Sequence, residues 1–128
     1  MADTIQKLVE FELDGPCGAY VAEEALKVGF VYLSGTAYSL LQCEASGTKR
    51  PVGVCMNNYN ATDKVTVVDR GIVNLIADTA LSAGQPVFPA DTAGRVIATG
   101  GSNFPGGFGT VVKGASASGV VQVKLQNL

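Results

Sequence analysis

Apolar and polar positions alternate in short runs along most of this chain. The runs are rich in valine, isoleucine, threonine and aromatic residues, and turn-forming pairs such as Ser34-Gly35, Arg70-Gly71 and Ala93-Gly94 separate them. Short strands spaced roughly ten residues apart, with such turns between them, are typical of all-β barrels and sandwiches. We therefore predict an all-β fold, a small barrel or sandwich of short strands. The predicted strands are residues 5–13, 19–22, 30–33, 38–43, 52–56, 64–68, 72–77, 86–88, 95–99, 110–113 and 120–125.

Helical periodicity is weak. The best candidate is the segment 21–28, in which Val21, Ala25, Leu26 and Val28 are apolar and which ends at Gly29. This pattern predicts at most one helical turn.

Two stretches of the chain resemble each other. Their shared residues indicate two pseudo-repeated halves, residues 17–70 and 72–127, each too small to close a core alone. The matching residues are separated by 55 positions in the first part of each half and by 56 in the second, a difference that one inserted residue explains. The alternative is chance similarity in a chain rich in glycine, alanine and valine. The matches are Ala22/Ala77, Ala25/Ala80, Leu26/Leu81 and Gly29/Gly84 at an offset of 55, and Gly53/Gly109, Ala61/Ala117, Val65/Val121 and Val67/Val123 at an offset of 56.

We predict that residues 1–14 form an N-terminal arm before a single β domain, residues 15–128. The arm has no counterpart in the second repeat. Its apolar side chains fall mainly on one face of a strand, with Val9, Phe11 and Leu13 at alternate positions. The Asp14-Gly15-Pro16 turn then separates the arm from the body, because proline cannot continue a β-ladder. We predict that the arm adds a strand to the sheet of another chain, with these three residues as anchors. The alternative is that it pairs within its own domain.

The residue types exclude several kinds of chemistry. Histidine is absent, which removes Ser-His-Asp and Cys-His nucleophile systems and histidine metal sites. The three cysteines, Cys17, Cys43 and Cys55, are odd in number and lack a Cys-x-x-Cys pair, so we expect free buried thiols and no structural zinc. We predict no catalytic residues, no cofactor and no metal.

Charge and hydropathy restrict the partners. The net charge is −2, whereas a non-specific nucleic-acid binder needs a basic face, so we expect no nucleic acid. No run of about 18 apolar residues is present, so we expect no transmembrane helix. The start of the chain lacks the basic and apolar regions of a signal peptide.

The apolar content indicates contacts between subunits. Hydrophobic residues make up 47% of the chain and charged residues only 16%, which leaves little solvated surface for a small monomer. Phe104 and Phe108 lie in a glycine-rich loop, residues 100–109, and are costly to leave in water. We predict a homo-oligomer, a trimer, with these two phenylalanines at the subunit contact.

The order of motifs over residues 50–128 resembles that of bacteriophage capsid decoration, or cement, proteins of the small all-β kind. The resemblance implies a protein that binds the outside of an icosahedral head, as trimers at local three-fold positions, without enzymatic activity. The implied partner is the major capsid protein, and the implied location is the outer capsid surface of the virion, after synthesis in the host cytoplasm. The chain that we predict the N-terminal arm to pair with is then the capsid protein or a neighbouring subunit. The motifs are Gly53-Val-Cys, Val65-Thr-Val67, Gly71-Ile-Val73, the turn and strand of residues 80–87, the Ala-Asp-x-x-Gly-Arg-Val of residues 90–96, the strand of residues 109–113 and the closing Val-x-Val-x-Leu of residues 121–125.

Two other classes stay open at the level of sequence. One is a stand-alone binding module or a tail or baseplate β-domain, which would be present in tens of copies per virion where a decoration protein has hundreds. The other is an enzyme, as part of a larger hydrolase, although no residue supplies a base.

Overall fold

The computed structural model of the protein describes residues 20–45, 49–99, 104 and 106–128. These residues form eleven strands and no helix, which confirms the all-β prediction. Each predicted strand from residue 19 onward overlaps an observed one, and the predicted strand at residues 5–13 lies outside the described residues. The strands are β1 (Tyr20–Ala22), β2 (Gly29–Leu33), β3 (Ser39–Gln42), β4 (Gly53–Cys55), β5 (Lys64–Val65), β6 (Val67–Val68), β7 (Ile72–Ala77), β8 (Phe88–Pro89), β9 (Arg95–Ile97), β10 (Gly109–Lys113) and β11 (Val120–Leu125).

The first six strands form one sheet in the order β5-β1-β3-β2-β4-β6. β5 and β6 lie at its two edges, yet only Thr66 separates them along the chain. The two edges therefore belong to one bent strand, and the sheet curls into a small, nearly closed barrel, the first barrel.

The remaining strands form a second sheet in the order β10-β11-β7-β9-β8. Its edges meet through a bridge between Pro86 and Thr110, and the Val87 N–H donates to the Gly109 carbonyl at 3.0 Å. The bridge thus brings the two edges of this sheet together, and we call the sheet the second barrel.

The strand pairings of the two barrels match at the offsets found in the sequence. Five pairings of the first barrel have a counterpart in the second: one parallel strand pair, three antiparallel pairs and one bridge outside the strands. The residues that correspond lie 55 or 56 positions apart along the chain. The two repeats stay a prediction, with which this agreement of register is consistent. The matched pairs include Val21–Ser39 with Ile76–Arg95, Leu33–Leu40 with Pro89–Val96, Val54–Val68 with Thr110–Lys124, Val21–Lys64 with Ile76–Val120, and Leu26–Tyr59 with Leu81–Ala115.

Each barrel fills its interior from the same positions. Six buried apolar residues form the core of the first barrel, and the counterparts of all six are buried in the second. They alternate with outward-facing residues, as the period of a strand requires. The pairs are Ala22/Ala77, Leu26/Leu81, Val31/Val87, Leu40/Val96, Cys55/Val111 and Val65/Val121.

A further buried cluster joins the two barrels. Phe30 and Val54 alternate along their strands with inward-facing Val31 and Cys55, so they face out of the first barrel. They are nevertheless buried, because they pack in one cluster with residues of the second barrel that include Phe108. The barrels therefore share a continuous apolar contact.

The single helical turn that the pattern of residues 21–28 allowed does not form. The Ala22 N–H donates to the Asp63 carbonyl at 2.9 Å, and Leu26 exchanges two hydrogen bonds of 2.9 Å with Tyr59. The backbone groups that a helix would use are thus paired across the barrel. So short a segment also gains too little to offset the cost of helix nucleation.

Candidate interaction surfaces

The predicted contact residues differ in whether the structure describes them and in how deeply they are buried. Val9, Phe11 and Leu13 lie outside the described residues. Phe108 is only 2% exposed, and its ring centroid lies 5.9 Å from that of Phe30 and 5.2 Å from that of Phe104. Its own chain therefore covers Phe108, so no second subunit is needed to keep this ring from water. Phe104 is half-buried against the same cluster, and the subunit contact itself stays a prediction.

Arg50 completes the contact at Phe108. Its guanidinium lies 5.9 Å from the centre of the Phe108 ring and donates a hydrogen bond to the Asn127 carbonyl. A cation over an aromatic face is stabilising. This contact has no signal in the sequence, because residues 50 and 108 are far apart along the chain.

One exposed apolar group lies at the end of the β2–β3 hairpin, residues 33–39, which we call the hairpin end. Leu33 is 44% exposed and Tyr38 is 60% exposed. The loop between them is held by hydrogen bonds from the Ser34 N–H to the Ser39 carbonyl at 2.9 Å and from the Ser34 hydroxyl to the Glu23 carboxylate at 2.7 Å. An ordered loop loses little further entropy on binding.

Tyr38 has an unusual backbone. Its φ of 59° lies in the left-handed region, which costs a residue with a Cβ about 1–3 kcal/mol. The counterpart in the second barrel is Gly94, with a φ of 80°. The first barrel thus carries a strained, exposed tyrosine where the second has a glycine, and strain of this kind clusters at functional sites.

A second exposed apolar group lies on the outside of the second barrel. Its members are Ile72 on β7, Val112 on β10 and Val120 on β11. Polar side chains lie between them, since Asn74 pairs with Gln122 across the same two strands. The surface mixes apolar and polar groups, as surfaces that bind other proteins reversibly often do.

The described thiols are chemically inert. Cys43 and Cys55 are free and buried, as predicted, and Cys17 lies outside the described residues. Burial raises the pKa of Cys43 to about 12 and also raises the pKa of Cys55, whose Sγ donates to the Lys27 carbonyl at 3.2 Å. Neither thiol provides a thiolate near neutral pH, which is the form that acts as a nucleophile or metal ligand.

The described part of the chain offers no cluster of acidic, cysteine or histidine side chains that could hold a metal ion. Within the same residues no helix is long and apolar enough to cross a membrane. The described residues form two barrels joined by an apolar contact, and their surface carries two exposed apolar groups.

A model of the phage cement protein family matches residues 15–126, nearly the whole chain. The chain belongs to the phage cement protein family. A cement protein has a structural role and binds the capsid of a phage head. The match includes both barrels and begins directly after the N-terminal arm.

This cement protein is also similar in fold to a solved structure, the head fiber gp8.5 N base in bacteriophage phi29. The TM-score is 0.65, the sequence identity is 16%, and the similarity covers 84% of this chain and 90% of the other. At that identity the likeness shows the fold alone. No curated protein matches the sequence.

Proposed function

We propose that this cement protein binds the outer surface of the phage head as a homotrimer and contacts the major capsid protein. The observation that carries the proposal is the family match over residues 15–126. The exposed hairpin end and the mixed outer face of the second barrel support a role in binding, because both present apolar side chains on ordered strands or loops. On this proposal the protein is made in the host cytoplasm and acts on the assembled capsid.

We further propose that it acts without catalysis and without nucleic acid. The raised pKa values of the described thiols and the absence of histidine from the sequence leave no obvious nucleophile–base pair. The net charge of −2 gives no electrostatic attraction to a polyanion.

The N-terminal arm is the proposed anchor on the capsid. It precedes the family match, and its apolar residues Val9, Phe11 and Leu13 share one face of a predicted strand. In each barrel the two edge strands are brought together, at Thr66 or by the Pro86–Thr110 bridge, which leaves the arm little barrel edge to extend among the described strands. Burial of each of the three side chains in a capsid groove would contribute roughly 1.5–3 kcal/mol before the cost of ordering the arm.

Density-gradient sedimentation tests head binding. Heads that lack the protein are mixed with the purified full chain, and the protein is expected to co-sediment with intact heads and to raise their resistance to heat or chelator. A copy number of hundreds per head agrees with decoration of the whole surface, whereas tens of copies would place the protein at the tail or baseplate.

The arm is tested by a variant lacking residues 2–13. We expect it to keep a β-type circular dichroism spectrum and to lose head binding. A matched pair of substitutions sharpens the test: Phe11→Ala should weaken binding, and Glu12→Ala, on the opposite face, should not. Undiminished binding of the deletion variant would show that the arm is not the anchor, and failure to fold would assign the arm to the core.

A further inference from the structure

The outer face of the second barrel carries exposed apolar residues at its two ends. Ile72 begins β7 and is 60% exposed, and Val120 begins β11 and is 55% exposed. Ile72 pairs with Lys124 and Val120 pairs with Ile76, so the two ends lie four residues apart along β7. At the rise of a strand this separation is about 13 Å. Exposed apolar groups of this kind mark binding surfaces.

The same face is cationic, although the protein as a whole is acidic. Its charged residues are Arg95 on β9, Lys113 on β10 and Lys124 on β11. No aspartate or glutamate follows Asp91 in the sequence, and β7 contains none. Among the described residues, no carboxylate lies within salt-bridge distance of these three cations. The face therefore fits an apolar segment that also carries negative charge.

The N-terminal arm, residues 1–14, has this composition. Its side chains carry a net charge of −3, from one lysine against four carboxylates. Val9 and Leu13 share one face of the predicted strand and lie four residues apart, which is the separation of the two apolar ends on the barrel. Glu10 and Glu12 alternate with them along the chain. The arm can therefore cover both ends at once and keep its carboxylates in water near the three cations.

The path of the chain brings the arm close to this face. β1 is antiparallel to β5, so the chain that precedes Tyr20 leaves β1 in the direction in which β5 runs toward β6. β6 ends at Val68, which packs in the cluster that joins the barrels, and β7 begins soon afterwards at Ile72. In extended form residues 2–13 span about 40 Å, whereas the six residues of β7 span about 20 Å. The arm is long enough to cover the face of its own chain.

We propose that in the free protein the arm lies along the outer face of the second barrel of its own chain, with Leu13 against Ile72 and Val9 against Val120. The contact keeps the apolar side of the arm out of water before a head is present. Because the same side of the arm is the proposed anchor on the capsid, the arm leaves the barrel when the protein binds a head. This second step rests on the proposed function, whereas the contact in the free protein does not.

The occupant is the arm of the same chain because it is tethered. A short linker gives the tethered segment an effective concentration of roughly millimolar, which exceeds that of a second copy in dilute solution. The capsid must then compete with the barrel for the arm. Only the fraction of molecules with a released arm is competent to bind, so the contact lowers the apparent affinity for heads.

Disulfide cross-linking of the free protein tests the contact without heads. In a Cys17→Ser background, Leu13→Cys combined with Ile72→Cys should form a disulfide within the chain on mild oxidation, identified as one linked peptide pair in a monomeric band. The matched control combines Glu12→Cys with Ile72→Cys, since Glu12 lies on the opposite face of the predicted strand, and should react roughly tenfold more slowly. Equal rates, or disulfides that form only between chains and disappear on dilution, would overturn the proposal.

Head binding tests the release of the arm. Ile72→Asp and Val120→Asp each place a negative charge beneath the acidic arm at an exposed position, so each should keep the fold and lower the apparent Kd for heads roughly threefold or more. The matched control is Leu33→Asp, because Leu33 is 44% exposed and lies on the first barrel, and it should not strengthen binding. Weaker binding of the two variants would mean that this face itself contacts the capsid. Unchanged binding would mean that the arm does not occupy it, and either result contradicts the proposal.

The two experiments separate this proposal from the proposed function. If the disulfide forms selectively but the full chain does not co-sediment with heads, the contact stands and the capsid role fails. If the full chain co-sediments with heads but the two cysteine pairs react equally, the function stands and the contact is wrong.

Discussion

Replacement of Phe108 by alanine tests whether this residue stabilises the fold of a single chain or the contact between subunits. Phe108 lies where the two barrels meet, 2% exposed, with its ring 5.9 Å from Phe30 and 6.5 Å from Phe88 between centroids. Truncation removes most of the ring and leaves a cavity that the strands of two closed barrels cannot collapse to fill.

The expected cost follows from the burial. Phenylalanine-to-alanine changes in a core lower the free energy of unfolding by about 3–5 kcal/mol, which includes the lost transfer energy and the cavity. The total stability of a domain is about 5–15 kcal/mol, so the change removes a large share of it. The melting temperature should fall by roughly 10–20 °C for a chain of this size.

Urea unfolding followed by circular dichroism measures this loss, and sedimentation measures assembly. We expect Phe108→Ala to lose stability at every protein concentration, and Phe104→Ala, at a half-buried ring, to lose much less. If Phe108→Ala instead unfolds like the wild type when monomeric but no longer assembles, then Phe108 is a subunit contact and the reasoning from its burial is wrong.

Other substitutions follow from the geometry. Gly109→Ala should destabilise the protein by about 1–3 kcal/mol, because its Cβ would lie 2.8 Å from the Lys124 carbonyl oxygen, whereas Gly35→Ala, with nothing within 4 Å, should have an effect near zero; urea unfolding of the two compares them. The pKa of Cys43 is raised from 9.0 to about 12, so the native state favours the neutral thiol and stability is lost as pH rises from about 9 toward 12. Cys43→Ala should therefore show a shallower decline of unfolding free energy over that range, and an equal decline in both proteins would contradict the assignment.

The strands were predictable because their signal is local. Runs of β-branched residues between glycine turns fix where each strand lies, and the segment 64–68 was recognised as extended. The sequence did not show that this segment divides at Thr66. β5 pairs with β1 and β6 with β4, and the Thr66 N–H donates to the Tyr59 hydroxyl instead of to a strand. The division is a consequence of barrel closure, which depends on distant partners.

The sequence does not predict which individual side chains are buried by distant parts of the same chain. Phe108 follows a run of glycines, and its position in a loop predicts an exposed ring that another subunit would have to cover. Only the fold shows that the first barrel supplies the cover, through Phe30, 78 residues earlier. The same limit applies to Tyr38, whose left-handed backbone has no sequence signal, since glycine is the usual residue in that conformation.

The change of offset between the two halves, from 55 to 56, has a structural location. In the first barrel Gly29 pairs with Cys55 alone. In the second, Val111 accepts a hydrogen bond from the Gly84 N–H at 2.8 Å and donates one to the Gln85 carbonyl at 2.9 Å, so two residues lie opposite one. That is a β-bulge with a left-handed glycine, Gly84 having a φ of 92°, and a bulge is how a ladder absorbs one extra residue.

An insertion placed anywhere else in these strands would reverse the inward and outward faces of every residue after it. Here Val87 and Val111 still point into the second barrel, as their counterparts Val31 and Cys55 point into the first. If the two stretches were similar only by chance, the single extra residue could fall anywhere in the second half. It falls at a bulge, which is a place where the β-ladder tolerates it. The bulge therefore favours one structural unit used twice.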